Sequence, residues 1–550
     1  MLNALFDNPV VTKELRGRMR GTRTYWLLFS YVLVLSLILF FSYLGWSVQH
    51  SSSMEVGGSE AGFTIGRNFF KILFYSQAVM MALITPALTA GAISVEREQR
   101  TFELLRGSIL RPGAIVWGKL ASSVSFVALL LTSSLPLLSL CFLLGGVSPG
   151  EVFFAYLLLV GDAFLFGAIG LCWSAFAANT ATATVLSYLT LFVFFGITFP
   201  FAIPTLDTSG STPSFGLCAV NPVGAVTGAV LPEHYYGLTL PAWLPALLLN
   251  GTLTALLLLA AMNRLEDFPA KRAAALRGVT LLFAGLLVFF ANGVVLGAAQ
   301  QTSAPTWLQM EFLLFTAATL LLVLVPVFVT GDLEWQGTRG WSPARLFTSA
   351  TLPMGLPFVL LLGCLVLGLT VASPHLMPLP LGRVTGMTGP LPPHLNGISA
   401  NAVSTADLTH CLWQGAAMLA AVVFGLAGFG FLLSVLLGNR WSSLTLLYLA
   451  LILASALPFF TYGRLYGEDA AAAIHNPAIN SLYLCPFYPL IQLSDTVHPG
   501  YEGIGHDDAA PGLIGYSNGP LWVGTAAIYL GIGLVSYAGA GAVLRRRKKV

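Results

Sequence analysis

The side chains able to do chemistry are few and scattered. Six cysteines (141, 172, 218, 364, 411 and 485) form no CxxC pair, so neither a zinc knuckle nor a disulfide framework follows from them. None of the eight histidines has clear metal-ligand spacing. His498 and His506, beside Asp507 and Asp508, come nearest. Glu468, Asp469, Asp495, Glu502, Asp507 and Asp508 gather in residues 464–519 without an acid–base spacing. Gly113 to Lys119 matches GxxxxGK, but Leu120 stands where a Ser or Thr would hold magnesium, and the stretch enters an apolar run rather than following a strand. The expectation is a chain with no catalytic residues, no metal and no cofactor of its own.

Three polar features remain. Asp162 is the one carboxylate deep in an apolar run, Leu159-Val160-Gly161-Asp162-Ala163-Phe164. A carboxylate in lipid is costly, which makes it either a functional site or a hydrogen-bond partner of a neighbouring helix. The stretch Ser94-Val95-Glu96-Arg97-Glu98-Gln99-Arg100-Thr101-Phe102-Glu103-Leu104-Leu105-Arg106 packs charges of both signs directly after a second apolar run. Read as a docking element, Thr101 caps a short helix and Phe102, Leu104 and Leu105 form an apolar knob rimmed by Glu96, Glu98, Arg100 and Glu103. Read plainly, it is a solvated loop with internal ion pairs. The third feature is Asn8-Pro9-Val10-Val11-Thr12-Lys13-Glu14-Leu15-Arg16, running on to Arg20. Asn8 suits an N-cap and Pro9 the first helical position. Val11, Leu15 and Met19 fall on one face, and Lys13, Arg16 and Arg20 largely on another. This pattern predicts an amphipathic helix lying on membrane lipids.

The composition explains why such features stand out. Of 550 residues, 56% are hydrophobic and only 9% charged, against about 25% charged in soluble domains. That excludes a water-soluble enzyme, a nucleic-acid-binding protein and a disordered scaffold. Twelve apolar runs reach the length of about 20 residues that a bilayer demands: 25–46, 70–93, 119–144, 152–176, 182–203, 242–262, 278–298, 307–330, 351–373, 411–437, 442–463 and 520–543. The expected fold class is an all-α polytopic membrane protein with about twelve transmembrane helices and both termini cytoplasmic. With that topology, Arg67, Lys71, Arg383 and Arg464 lie outside and the other 22 of the 26 Lys and Arg lie inside, as the positive-inside rule requires. All eight histidines then fall outside.

The spans divide into two six-helix units, 1–268 and 269–550. Each has its longest late loop outside: 204–241, with Asn221 and Pro222, and 464–519, with Pro486 and Pro489. Both hold apolar, proline-punctuated stretches too short to span, which suits re-entrant or surface segments. Cys218 and Cys485 sit in these comparable segments, and a disulfide between them is conceivable in an oxidising compartment.

The first half resembles the ABC-2 type family of ABC exporter permeases. The matching residues are Asn8–Arg16 before the first span, Glu96–Leu105 after the second, and Gly118-Lys119-Leu120 leading into the third. They cover about 50 residues, and the order and spacing relative to the spans agree. The resemblance implies a connecting helix at Asn8, Pro9, Lys13, Glu14, Arg16 and Arg20. It implies an ATPase-coupling element at Glu96, Arg97, Glu98, Arg100, Thr101, Phe102, Glu103 and Leu104. The partner implied is a separate cytoplasmic ABC ATPase subunit carrying ATP and magnesium, in a bacterial inner membrane. In the second half the matching stretch, Gly331–Arg339, keeps Glu334 and a Thr but lacks the Glu-x-Glu run. Either one coupling site is degenerate, or the second half is not a true permease repeat. The two halves form a complete transmembrane unit by themselves or after pairing as a homodimer. Three other readings stay open: an ion-gradient-driven secondary transporter, for which Asp162 lacks an obvious counterpart, a membrane enzyme using 464–519, and a structural anchor for a surface complex.

Overall fold

In lipid every backbone N–H and C=O must find a partner within the chain, so long apolar runs become helices. A computed structural model describes residues 9–19, 22–50, 58–102, 112–145, 147–206, 232–236, 238–241, 243–265, 270–301, 306–329, 355–376, 405–438, 440–465, 486 and 521–547. Within these lie α1 (Pro9–Met19), α2 (Thr22–His50), α3 (Gly58–Thr89), α4 (Gly91–Glu98), α5 (Pro112–Ser133), α6 (Leu135–Leu144), α7 (Pro149–Phe176) and α8 (Thr180–Leu206). A hairpin of β1 (Pro232–Tyr235) and β2 (Leu238–Pro241) leads to α9 (Trp243–Leu265). Then come α10 (Ala270–Gln301), α11 (Thr306–Val329), α12 (Gly355–Ala372), α13 (Thr405–Leu437), α14 (Arg440–Leu465) and α15 (Leu521–Arg547).

Among the described residues, nine helical stretches are long and apolar enough to cross a membrane, and three shorter apolar ones accompany them at Thr180–Phe195, Leu313–Val329 and Ser442–Ser455. The architecture is that of a helical multi-pass membrane protein. α2 turns Tyr25, Trp26, Phe29, Phe40, Phe41 and Tyr43 outward, aromatic surface suited to lipid and its interfaces.

The chain forms two compact units, Met1–Glu233 with Thr239–Phe283, and His234–Leu238 with Ala284–Val550. In the first, α7 is central and packs against α3, α4, α5, α8 and α9. It begins with a capping box: Ser148 Oγ accepts from the Glu151 N–H, and Glu151 Oε2 from the Ser148 N–H. α5 and α6 are one run broken at Ser134, because Pro136 has no N–H for the preceding turn. The break is filled by side chains: Gln77 Nε2 donates to Ser134 Oγ at 2.8 Å, and Tyr156 OH lies 2.9 Å from the same oxygen.

In the second unit α13 is central and packs against α11, α12, α14 and α15. Its contact with α15 is backbone to backbone. A Cβ on Gly428 would lie 2.8 Å from Gly533 O, and one on Gly533 would lie 2.6 Å from the Phe424 ring. Helices in lipid associate through such small residues, since no hydrophobic driving force separates them from the solvent. Replacing Gly428 with leucine leaves nothing flexible to yield. The expected cost is about 1–3 kcal/mol or more, read as a lowered thermal midpoint in detergent, whereas Gly531→Ala, with open space around it, leaves the midpoint unchanged.

Candidate functional site at the charged junction

α4 continues the direction of α3 after an interruption at Ala90, whose N–H still reaches Pro86 O at 2.8 Å. The charged stretch after the second run is therefore helical through Glu98, followed by a turn at Gln99 and Arg100. α7 comes close enough to hold it because Gly170 faces Thr89: a Cβ there would collide with the threonine hydroxyl. One turn further along α7, Ser174 Oγ accepts from the N–H groups of Ile93 (2.8 Å) and Ser94 (3.0 Å). These are first-turn donors with no partner inside their own helix.

Three successive charges of α4 each bind a different neighbour. Glu96 Oε1 accepts from Lys119 Nζ of α5 at 2.7 Å. Arg97 donates to Ala175 O at 2.8 Å and Ala177 O at 2.7 Å, at the C-terminal end of α7. Glu98 Oε1 accepts from the Thr180 N–H at 2.6 Å, at the start of α8. A cation on the C-terminal carbonyls and an anion on the N-terminal amides both match the helix dipoles. Asn179 Oδ1 completes the α8 cap by accepting from the Thr182 N–H.

Lys119 is the charge at the centre, with 3% of its surface exposed. It is also bound at 3.3 Å by Glu14 Oε1, from α1. The sequence reading expected α1 to turn an apolar stripe into lipid. Instead α1 packs on α5, and its half-buried face includes Glu14 and Arg18 beside Val11 and Leu15, while Met19 is exposed. A buried lysine needs carboxylates, and that requirement turns the helix. Arg18 Nη2 donates to Leu88 O at 3.1 Å. Burial lowers the pKa of Arg18, with the Glu14 carboxylate opposing the shift. Lys13 and Arg16 remain exposed.

The turn after α4 closes through Thr101 N–H to Glu96 O (2.9 Å) and Arg100 N–H to Arg97 O (3.1 Å). This is a Schellman ending, with Arg100 at φ 58° in the position glycine usually takes. Thr101 thus closes α4, and the residue after it, Phe102, is helical again. Phe102 is half-buried against the core formed by Ile93, Val116 and Leu120, with the Arg97 guanidinium 5.1 Å from its ring centre. Leu104 and Leu105, the other two residues of the expected knob, lie outside the described residues. Among the described residues, Glu98, Gln99, Arg100 and Thr101 are exposed at the junction, beside Ala178 and Asn179.

Asp162 is fully buried, and Asn250 Nδ2 of α9 donates to its Oδ1 at 2.8 Å. Asp162 Oδ2 and Asn250 Oδ1 have no partner among the described residues. Pro486 is buried. Asn8, Arg20, Glu103, Leu104, Asn221, Pro222, Cys218, Glu334, Cys485 and Pro489 lie outside the described residues, and the side chain of Pro9 does too. Sequence reasoning missed Lys119 as the centre of the junction, Ser174 as its acceptor and Asn250 as the partner of Asp162. The Gly-Lys-Leu motif was the available signal for the first.

No family model matches the chain, and no curated protein matches it.

Removing one partner from a buried ion pair costs about 3–5 kcal/mol. Glu96→Gln is therefore expected to lower the thermal midpoint strongly, and adding Lys119→Met to recover most of the loss. Arg100→Gly relieves about 1 kcal/mol of left-handed strain, so its midpoint stays level or rises.

Proposed function

We propose that the chain is the membrane permease subunit of an ATP-driven ABC exporter, coupled through α4 to a separate ATPase subunit that carries ATP and magnesium. The observation that carries this reading is the wiring of α4. A helix bonded at consecutive residues to α5, α7 and α8, and through Lys119 to α1, is built to move several helices together. A force on its exposed turn reaches all of them. The turn itself presents Gln99, Arg100 and Thr101, a polar surface suited to a water-soluble partner.

In this reading the twelve apolar helices are all spans. The Lys and Arg distribution places the junction and both termini in the cytoplasm of a bacterial inner membrane. The exposed Lys13 and Arg16 then face lipid phosphates. The two units alternate access to a path across the membrane, and the chain performs no covalent chemistry of its own. Its ATPase partner acts on the first unit at least, where the paired carboxylates of Glu96 and Glu98 hold α4 in place.

The test is purification of the full chain in mild detergent, with ATP hydrolysis measured in the preparation. An ATPase subunit is expected to accompany the wild type. Arg100→Gly with Gln99→Ala is expected to release it by tenfold or more at an unchanged thermal midpoint, since neither side chain supports the fold. Retention of the ATPase by that variant, or labelling of a cysteine at Gln99 from the outer side of sealed cells, would falsify the reading.

A further inference from the structure

One hydrogen bond occurs twice. Tyr188 OH of α8 donates to Leu83 O of α3 at 2.6 Å. Tyr448 OH of α14 donates to Val323 O of α11 at 2.7 Å. In each case the accepting carbonyl lies three residues before a proline inside its helix, Pro86 in α3 and Pro326 in α11. Proline has no N–H for the carbonyl four residues back, that of Ala82 or Leu322, and its ring pushes that turn open, so the next carbonyls along, those of Leu83 and Val323, sit in the widened turn. Leu83 and Val323 both lie on exposed faces, at 54% and 47%. Lipid on that side offers no hydrogen bond to a loosened carbonyl, so the tyrosine supplies one.

The coincidence extends along the helices at constant offsets. Leu83, Pro86 and Thr89 stand 240 residues before Val323, Pro326 and Val329. Gly170, Ser174 and Tyr188 stand 260 residues before Gly430, Ser434 and Tyr448. Gly170 makes room for the residue three places after Pro86, and Gly430 for the residue three places after Pro326: a Cβ on Gly430 would lie 2.9 Å from Val329. Ser174 and Ser434, four residues beyond each glycine, are both fully buried. Residues 81–89 and 321–329 follow nearly the same order of buried, half-buried and exposed positions. In both units the central helix, α7 or α13, packs against the proline-bearing helix and against the tyrosine-bearing one, and these two also touch each other.

We infer that the chain is a tandem repeat of one membrane unit, and that each copy carries the same hinge: a proline-loosened turn latched by a tyrosine hydroxyl from a neighbouring helix. Little side-chain identity survives between the copies. What survives includes what the hinge needs, namely the proline, the hydroxyl, and the glycine that lets the central helix lie against the bend. In the first copy the hinge sits directly before α4, so bending at Pro86 swings the junction. That use rests on the proposed coupling to an ATPase, whereas the repeat and the latch do not.

The test is hydrogen–deuterium exchange on the full-length chain in lipid nanodiscs without any ATPase. The result is therefore independent of whether a partner docks. Losing one net hydrogen bond corresponds to about two- to tenfold in the opening equilibrium. Tyr188→Phe is expected to speed exchange in residues 84–90 by about that factor, and Tyr448→Phe in 324–329, each without effect in the other unit or in α9 and α15. In a Pro86→Ala background the regained N–H closes the turn, and the Tyr188→Phe effect shrinks towards onefold. Pro326→Ala does the same for Tyr448→Phe. An undiminished effect in the alanine backgrounds makes the tyrosines packing residues and overturns the hinge. A response to Tyr188→Phe with none to Tyr448→Phe overturns the repeat of the hinge. Should Tyr188→Phe alone fail to accumulate, recovery on adding Pro86→Ala supports the hinge, and failure to recover counts against it.

Discussion

The junction depends on a single ammonium group. Lys119 is nearly without solvent, and a charge in that position persists only if carboxylates come to it. Glu96 comes from α4 and Glu14 from α1, so one lysine sets the placement of two helices that would otherwise have little reason to stay. Once Glu96 is fixed, the next two side chains have their directions set. Arg97 meets the carbonyls that end α7, and Glu98 meets the first amide of α8. Each bond answers an unpaired helix end, so the ion pair and the caps reinforce one another.

The surroundings make this economy necessary. Helices in lipid gain little from hiding apolar surface from an apolar solvent, and contact must come from close packing and from polar pairs. Both are visible here. Gly170 admits Thr89, Gly428 admits Gly533, and Asn250 donates to Asp162 across α7 and α9. The polar pairs sit where helices bend or break: Ser134 between α5 and α6, Ser174 beside Ala90, Tyr188 beside Pro86.

Much of this was legible in the residues. The apolar runs marked where helices lie, because the length of a bilayer crossing and the exclusion of water leave no other structure for them. The stretch Glu96 to Phe102 stood out because charge is rare in this chain. Its internal wiring was not legible, since Lys119, Ala175 and Thr180 reach it through tertiary contact alone. The face of α1 was misjudged for the same reason: helical periodicity shows which side chains share a face, and says nothing of a buried cation waiting opposite. The inferred correspondence between the halves was legible in the order of the spans but not in side-chain identity, because lipid-facing positions exchange freely among Leu, Val, Ile and Phe.

The contact between Glu14 and Lys119 joins residues 105 apart in sequence. At a synthesis rate of about 5–20 residues per second, α1 emerges some 5–20 seconds before its lysine does. Through that interval its carboxylate has no partner in α5. The junction therefore closes late: α1 gains its ion pair on α5 only after the third hydrophobic segment has been made.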